Sequence, residues 1–152
     1  MLAIVLDIET GKTAGGQEIV REVALVDGDG EWAEYPLDDP QVLKSLLERI
    51  AGRTVAGYGV GGDLAILERW GRRHGIRLRV PRSLCLLAEA RKRWPRVRSH
   101  QLFPMCKAIG INVSARVAHV ALDDARVAWE LYRRLGPGVS GHVKSRGWLK
   151  PR

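Results

Sequence analysis

The stretch LAIVLDIETG, residues 2–11, is an apolar run that ends in two acids. The apolar residues from Leu2 to Leu6 predict a strand that is covered on both faces. Residues two apart on a strand point to the same side, so Asp7 and Glu9 project together from its end. Two like charges there repel each other and lose hydration, and a positive charge between them removes the conflict. The alternative is that the strand surfaces here and both acids are solvated.

The length and composition indicate one globular domain. The chain has 152 residues, of which 45% are hydrophobic and 28% charged, which suffices for a single core. No apolar run approaches 18 residues, and the acids within the first apolar run argue against a signal peptide. We therefore expect a cytoplasmic protein that contacts no membrane. Cys85 and Cys106 form no C-x-x-C pair and are expected to be reduced core residues.

The net charge is strongly basic, because 25 Lys and Arg stand against 17 Asp and Glu and give +8. Arginine is concentrated in three stretches, residues 70–82, 91–98 and 142–152. A basic surface of this kind is typical of proteins that bind a polyanion, most often nucleic acid. A GC-rich genome or thermal adaptation would explain the same composition without such a partner.

The order of the predicted elements indicates an α/β fold. After the first strand, residues 18–28 and 31–37 predict an antiparallel hairpin around a Gly-Asp-Gly turn. Helices are predicted over residues 40–53, 62–75, 83–94, 99–110 and 118–136, and further short strands over 54–60 and 76–81. A sheet with an antiparallel hairpin on one side and helices over both faces follows. Residues 1–136 would form this domain, and residues 137–152 a loose basic tail.

Acids interrupt apolar sequence at three places: Asp7 with Glu9, Asp63, and Asp123 with Asp124. Asp63 follows a predicted strand through two glycines at the start of a helix, where a carboxylate can also act as a cap. Asp124 lies beside the apolar face of the last predicted helix. His119 precedes Asp124 by five residues.

Three motifs in this order, LDIETG, VAGYGVGGDLAIL and HVALDDA, resemble those of the DnaQ-like 3′–5′ exonucleases of the DEDDh group. The resemblance covers residues 2–135 and includes CLLAEARKRWPRVRSHQLFPMCKAIGI, which is similar to the corresponding segment of polymerase proofreading subunits. It implies a ribonuclease H-like α/β domain with a mixed sheet flanked by helices. It also implies an enzyme that trims the 3′ end of single-stranded nucleic acid, with DNA favoured and a DNA polymerase as candidate partner.

The resemblance further assigns a role to each motif residue. Asp7, Glu9, Asp63 and Asp124 would bind two divalent ions, Mg²⁺ or Mn²⁺, which require hard oxygen ligands. Asp7 would bridge both ions, and Glu9 and Asp124 would complete the site of the ion that activates water. Asp63 would hold the second ion. His119 would be the general base, because an imidazole can accept a proton near neutral pH.

The second motif departs from the family pattern. Tyr58 and Gly59 replace the usual His-Asn pair, and Gly62 replaces a Phe. Tyr58 and Thr10 are the candidate substrate contacts, and the Tyr58 ring could either stack on the terminal base or pack in the core. Two other functions stay open: a 3′–5′ exoribonuclease that trims RNA, and a non-catalytic nucleic-acid-binding or polymerase-associated module with the same fold.

Overall fold

A computed structural model gives the fold and describes residues 3–79 and 82–136, together with residues 144–145 and 148–149. The elements follow one another as β1 (Ile4–Lys12), β2 (Glu18–Asp27), β3 (Gly30–Glu34), α1 (Pro40–Ile50), β4 (Thr54–Gly57), α2 (Val60–Arg73), β5 (Leu78–Arg79), β6 (Arg82–Cys85), α3 (Leu86–Arg93), α4 (Leu102–Ala108), α5 (Ala121–Leu135), β7 (Lys144–Ser145) and β8 (Trp148–Leu149).

Within the described residues, six strands form one mixed sheet in the order β3-β2-β1-β4-β6-β7. The first three are antiparallel neighbours, β4 and β6 run parallel to β1, and β7 is antiparallel to β6. Strands β5 and β8 form a separate antiparallel pair. The predicted α/β fold, with a mixed sheet and an antiparallel hairpin on one side, is confirmed.

Side chains of β1 alternate between two cores, one on each face of the sheet. Leu6 and Ile8 belong to a buried cluster with α1 and α2, whereas Val5 belongs to a cluster with α3, α4 and α5. The strand is therefore covered on both faces, as its apolar sequence predicts. Asp7 and Glu9 follow Val5 in steps of two residues, so they project toward the face that α5 covers.

Helix α5 presents one apolar stripe to the sheet and packs against β1 and β2. Its buried apolar residues recur at helical spacing: Ala121, Ala125, Ala128, Leu131 and Leu135. Near its C-terminal end, the Tyr132 hydroxyl accepts a hydrogen bond from the backbone amide of Ala3 at 3.2 Å. This packing brings the first turn of α5 to the acidic end of β1.

Two predicted elements are corrected by the structure. The helix predicted over residues 83–94 begins at Leu86, because Arg82–Cys85 form β6 beside β4. Ser83 and Leu84 are buried in this strand, and so short a buried segment has no period that separates it from a helix. The strand predicted over residues 76–81 contributes β5, which lies outside the main sheet.

The predicted domain boundary at residue 137 and most of the predicted tail lie outside the described residues. Four residues of that stretch are described as paired: Lys144–Ser145 with β6 and Trp148–Leu149 with β5. The boundary therefore stays a prediction, and the pairing connects part of the predicted tail to the domain.

The thiol groups of Cys85 and Cys106 are both free. Cys106 is fully buried in the core on the α5 side, and Cys85 is half-buried at the end of β6. Among the helices that the structure describes, none is both long and apolar enough to cross a membrane.

Candidate active site

The second acid of β1 lies beside a β-bulge. Glu9 pairs with Glu22 of β2, and the next residue, Thr10, pairs with Val20, which leaves Arg21 as the extra residue on β2. A bulge bends the strand and changes the direction in which side chains point. Thr10 is exposed immediately beyond it, whereas Glu9 is half-buried.

Asp63 lies in the first turn of α2, although it does not cap that helix. The N-cap position is Gly59, which has φ of 76° and no side chain to donate or accept. Asp63 is only 9% exposed, and its carboxylate accepts a hydrogen bond from the backbone of Ile8 in β1. The contact to β1 therefore explains its position better than a capping role.

Asp124 lies in the first turn of α5 and is connected to the loop that precedes the helix. Its carboxylate Oδ1 accepts a hydrogen bond from the backbone amide of His119 at 3.1 Å, and it is 7% exposed. His119 is exposed and has φ of 64°, in the left-handed region that is uncommon for residues other than Gly. The loop thus stays in a strained conformation that its hydrogen bonds to α5 support.

The five residues assigned by the motifs meet at one end of the sheet. Candidate ligand atoms of Glu9, His119 and Asp124 all lie within 4.8 Å of one another. Glu9 lies within hydrogen-bonding reach of Asp7 on one side and of Asp124 on the other. Asp63 is close enough to interact electrostatically with Asp7. Their individual roles stay predictions.

Burial and mutual repulsion raise the pKa of three carboxyl groups in this cluster. Burial raises the pKa of Asp63 to about 8, with smaller contributions from the charges of Glu9 and Asp124. Burial is also the largest cause for Asp7, whose pKa is raised further by the charges of Asp63, Asp124 and Glu9. For Asp124, burial and its contact with Glu9 raise the pKa. In the absence of a cation, the cluster would hold extra protons near neutral pH.

One further observation indicates that these residues fit a divalent cation. The Oδ2 atom of Asp7 is buried and has no hydrogen-bond partner among the described residues. A buried carboxylate oxygen without a partner is costly, and such a group calls for an explanation. Carboxylate oxygens suit Mg²⁺ and Mn²⁺, and a cation among them would satisfy the oxygen and lower the repulsion.

A pocket of about 610 Å³ adjoins His119 and Asp124. Its wall includes Tyr58, His100 and Phe103. Tyr58 is half-buried and packs against the core on the α5 side, and its hydroxyl donates a hydrogen bond to the carbonyl of His100. The Tyr58 side chain therefore combines core packing with a place in the pocket wall.

Two further acids position the site, and sequence reasoning did not assign them this role. Glu22 Oε2 accepts a hydrogen bond from the amide of Ala121 at 3.2 Å, so a residue of β2 caps α5. Asp123 Oδ2 accepts from the amide of Val117 at 3.0 Å, and its Oδ1 pairs with Arg126 at 3.0 Å. The two adjacent acids in LDDA could have indicated a role for Asp123. No local signal indicates the role of Glu22, because it depends on a contact with a residue distant in sequence.

No protein-family model and no curated protein sequence matches the chain. A solved structure of a full-length 3′-exonuclease is similar to it, with a TM-score of 0.68 and 15% sequence identity. The alignment covers 95% of this chain and 66% of that protein, so this chain spans somewhat less than two thirds of its length. At this identity the likeness shows the fold, and it confirms the predicted ribonuclease H-like α/β architecture.

Proposed function

We propose that the protein is a DnaQ-like 3′–5′ exonuclease of the DEDDh group that uses two divalent ions. It would remove nucleotides from the 3′ end of single-stranded nucleic acid. The observation that carries this proposal is the cluster of Asp7, Glu9, Asp63 and Asp124 with His119, beside an open pocket. The order of the three motifs and the fold shared with a 3′-exonuclease support it.

The acids and the histidine would divide the work of phosphodiester hydrolysis. Asp7, Glu9, Asp63 and Asp124 would hold Mg²⁺ or Mn²⁺, which supplies an activated water and stabilises charge on the scissile phosphate. His119 would accept the proton of the attacking water, and this exposed residue lines the pocket that would receive the substrate. The backbone bond from His119 to Asp124 keeps the proton acceptor beside the ligand.

The pocket would receive the 3′-terminal nucleotide. Phe103 and Tyr58 supply aromatic surface there, on which any base can stack. Sequence-independent stacking suits an enzyme that trims any 3′ end. The resemblance to proofreading subunits favours DNA as the substrate and makes a DNA polymerase the candidate partner.

Incubation of a 5′-labelled single strand with Mg²⁺ or Mn²⁺ tests the proposal. We expect a ladder of products shortened from the 3′ end, and none with the Asp7→Asn variant. Matched DNA and RNA strands in parallel reactions determine which polymer is preferred. Binding without cleavage in the wild-type protein would instead identify a non-catalytic module.

A further inference from the structure

One basic stretch of the sequence adjoins the pocket. We call residues 91–98 the arginine segment; it comprises the last turn of α3 and the beginning of the loop to α4. Arg91 lines the pocket at one end of the segment, and Ser99 lines it directly after the other end. His119 and Asp124 line the same pocket, so the arginine segment flanks the access to the candidate catalytic residues.

The arginines of this segment have no acidic partner among the residues that the structure describes. Arg91, Arg93, Arg96 and Arg98 are all exposed. The guanidinium of Arg93 lies 5.8 Å from the ring centroid of Trp94, which leaves its charge uncompensated. Four positive charges are therefore available to a polyanion beside the pocket.

Arginines of the basic stretch on α2 are paired instead. Arg72 pairs with Glu68 at 3.6 Å, and Arg73 forms a two-pronged hydrogen-bonded pair with Asp38. Their charges are largely matched by acids within the protein. The sequence alone does not distinguish the two stretches, because both are rich in arginine. The ion pairs in the structure distinguish them.

Two half-buried residues within the arginine segment hold it in place. Trp94 and Val97 are half-buried and pack against the core on the α5 side, whereas Arg96 and Arg98, on either side of Val97, are exposed. The His100 ring nitrogen Nε2 lies 3.0 Å from the carbonyl oxygen of Trp94, which closes the loop. A backbone fixed in this way lowers the entropic cost of binding a ligand.

We propose that the arginine segment binds the phosphate backbone of the strand upstream of its 3′-terminal nucleotide. The inference rests on the proposed function for the strand direction, because a 3′ end at the acids leaves the preceding phosphates outside the pocket. Guanidinium groups bind phosphate through charge-assisted, often two-pronged hydrogen bonds. Such contacts are independent of base sequence. A strand too short to extend beyond the pocket would gain nothing from them.

The test is binding of 5′-fluorescein-labelled oligothymidylates to the full chain in EDTA, by fluorescence anisotropy at several salt concentrations. The test variant is Arg96→Gln with Arg98→Gln. The matched control is Arg72→Gln with Arg133→Gln, which removes the same charge from residues with weak exposed pairs. Each control residue lies about 13 Å along its helix from Asp63 or Asp124.

We expect the test variant to bind a twelve-nucleotide strand more weakly and with a smaller salt dependence than wild type. Loss of two phosphate contacts makes the negative slope of log affinity against log salt shallower by about 1.4. Between 50 and 200 mM salt, the affinity of wild type should therefore fall by a factor about sevenfold larger than that of the test variant. The control variant should keep the wild-type slope, and a dinucleotide should bind the test variant and wild type equally.

Equal loss in the test and control variants would overturn the inference, because the charges would then act only through the overall field. An unchanged slope in the test variant, or no binding by the wild type, would overturn it as well. These results are separable from the proposed function. If strand binding depends on Arg96 and Arg98 but the strand is not cleaved with Mg²⁺ or Mn²⁺, the proposed exonuclease activity is wrong. The proposed phosphate binding by the arginine segment is then supported.

Discussion

The backbone amide of His119 donates a hydrogen bond of 3.1 Å to Oδ1 of Asp124. This bond connects the candidate general base with a candidate cation ligand through the backbone and does not involve the His119 ring. The other carboxylate oxygen of Asp124 takes no part in this bond, so it could contact a cation that separates Asp124 from Glu9. A displacement of α5 would therefore move both functional groups together.

Replacement of Asp7 by Asn should abolish cleavage without unfolding the protein. The neutral amide avoids the cost of either protonating this buried carboxyl group or holding its charge among the other acids, and it can donate to the neighbouring Glu9. In EDTA at pH 8, we expect the melting temperature of Asp7→Asn to equal or exceed that of wild type. Calorimetry and the strand-shortening assay measure the two effects. Clear residual turnover would contradict the role of Asp7 as a ligand.

The cation-free protein should lose stability from its acidic cluster as pH rises from 6 to 8. The unfolded Asp63 releases its proton near 3.8, and the folded one near 8, so the folded state binds more protons between these values. Stability then falls with rising pH, because its slope follows the protons bound in the unfolded minus the folded state.

Urea unfolding in EDTA at pH 6 and pH 8 tests this, with Asp63→Asn as the control that lacks the titrating group. The wild-type protein should lose more free energy of unfolding between these pH values than Asp63→Asn. Added Mg²⁺ or Mn²⁺ should reduce the difference. Identical pH dependence in the two proteins would show that Asp63 is ionised in the cation-free fold.

Replacement of His119 by Asn should lower turnover strongly and spare the fold. Asn tolerates the positive φ at this position better than Ala does, so the loop keeps its conformation. Loss of a general base costs roughly 10²–10⁴-fold in rate. Binding of Mn²⁺, measured by calorimetry, should be unchanged. A ring nitrogen of His119 also lies within 4.8 Å of carboxylate oxygens of Glu9 and Asp124. Weaker Mn²⁺ binding would therefore identify His119 as a cation ligand instead.

Replacement of Asp123 by Ala should slow catalysis although this acid is not one of the proposed cation ligands. Its Oδ2 holds the amide of Val117 two residues before His119, so its loss frees the loop that carries the base. We expect a several-fold lower kcat, unchanged Mn²⁺ affinity, and a loss of about 1 kcal/mol in stability. Glu130→Ala is the control, since this exposed acid of α5 pairs only loosely with Arg133 at 3.7 Å. Equal effects of the two variants would exclude a positioning role.

Replacement of Tyr58 by Phe should lower the stability of the protein measurably, although the substitution keeps the aromatic ring. The Tyr58 hydroxyl donates to the carbonyl of His100, and loss of one hydrogen bond costs about 1 kcal/mol, or roughly 2–4 °C in melting temperature. Strand affinity should stay near that of wild type because the ring remains. Tyr58→Ala should lose both stability and strand affinity. Unchanged affinity in Tyr58→Ala would exclude stacking.

Most of the fold could be predicted because its signals are local. The apolar run of β1, the Gly-Asp-Gly turn and the stripe of α5 each lie within one short segment. The start of α3 could not be predicted in this way, because Ser83–Cys85 become a strand only by pairing with β4. In the site, the motifs contain Asp7 and Asp124 directly. The cap that Glu22 provides to α5 could not be predicted, because it depends on a contact distant in sequence. The same is true of the ion pair between Arg73 and Asp38, which distinguishes Arg73 from Arg96.

The contacts that hold α5 against the sheet connect distant parts of the chain. The Glu22–Ala121 hydrogen bond spans 99 positions, and the Ala3–Tyr132 bond spans 129. On the ribosome, β1, β2 and β3 therefore leave the exit tunnel and can pair long before α5 emerges. Contacts of such high sequence separation are slow to form, because the entropy of closing a long loop opposes them. A nascent chain would carry Asp7 without Asp124, so nuclease activity of the proposed kind could begin only after α5 has docked.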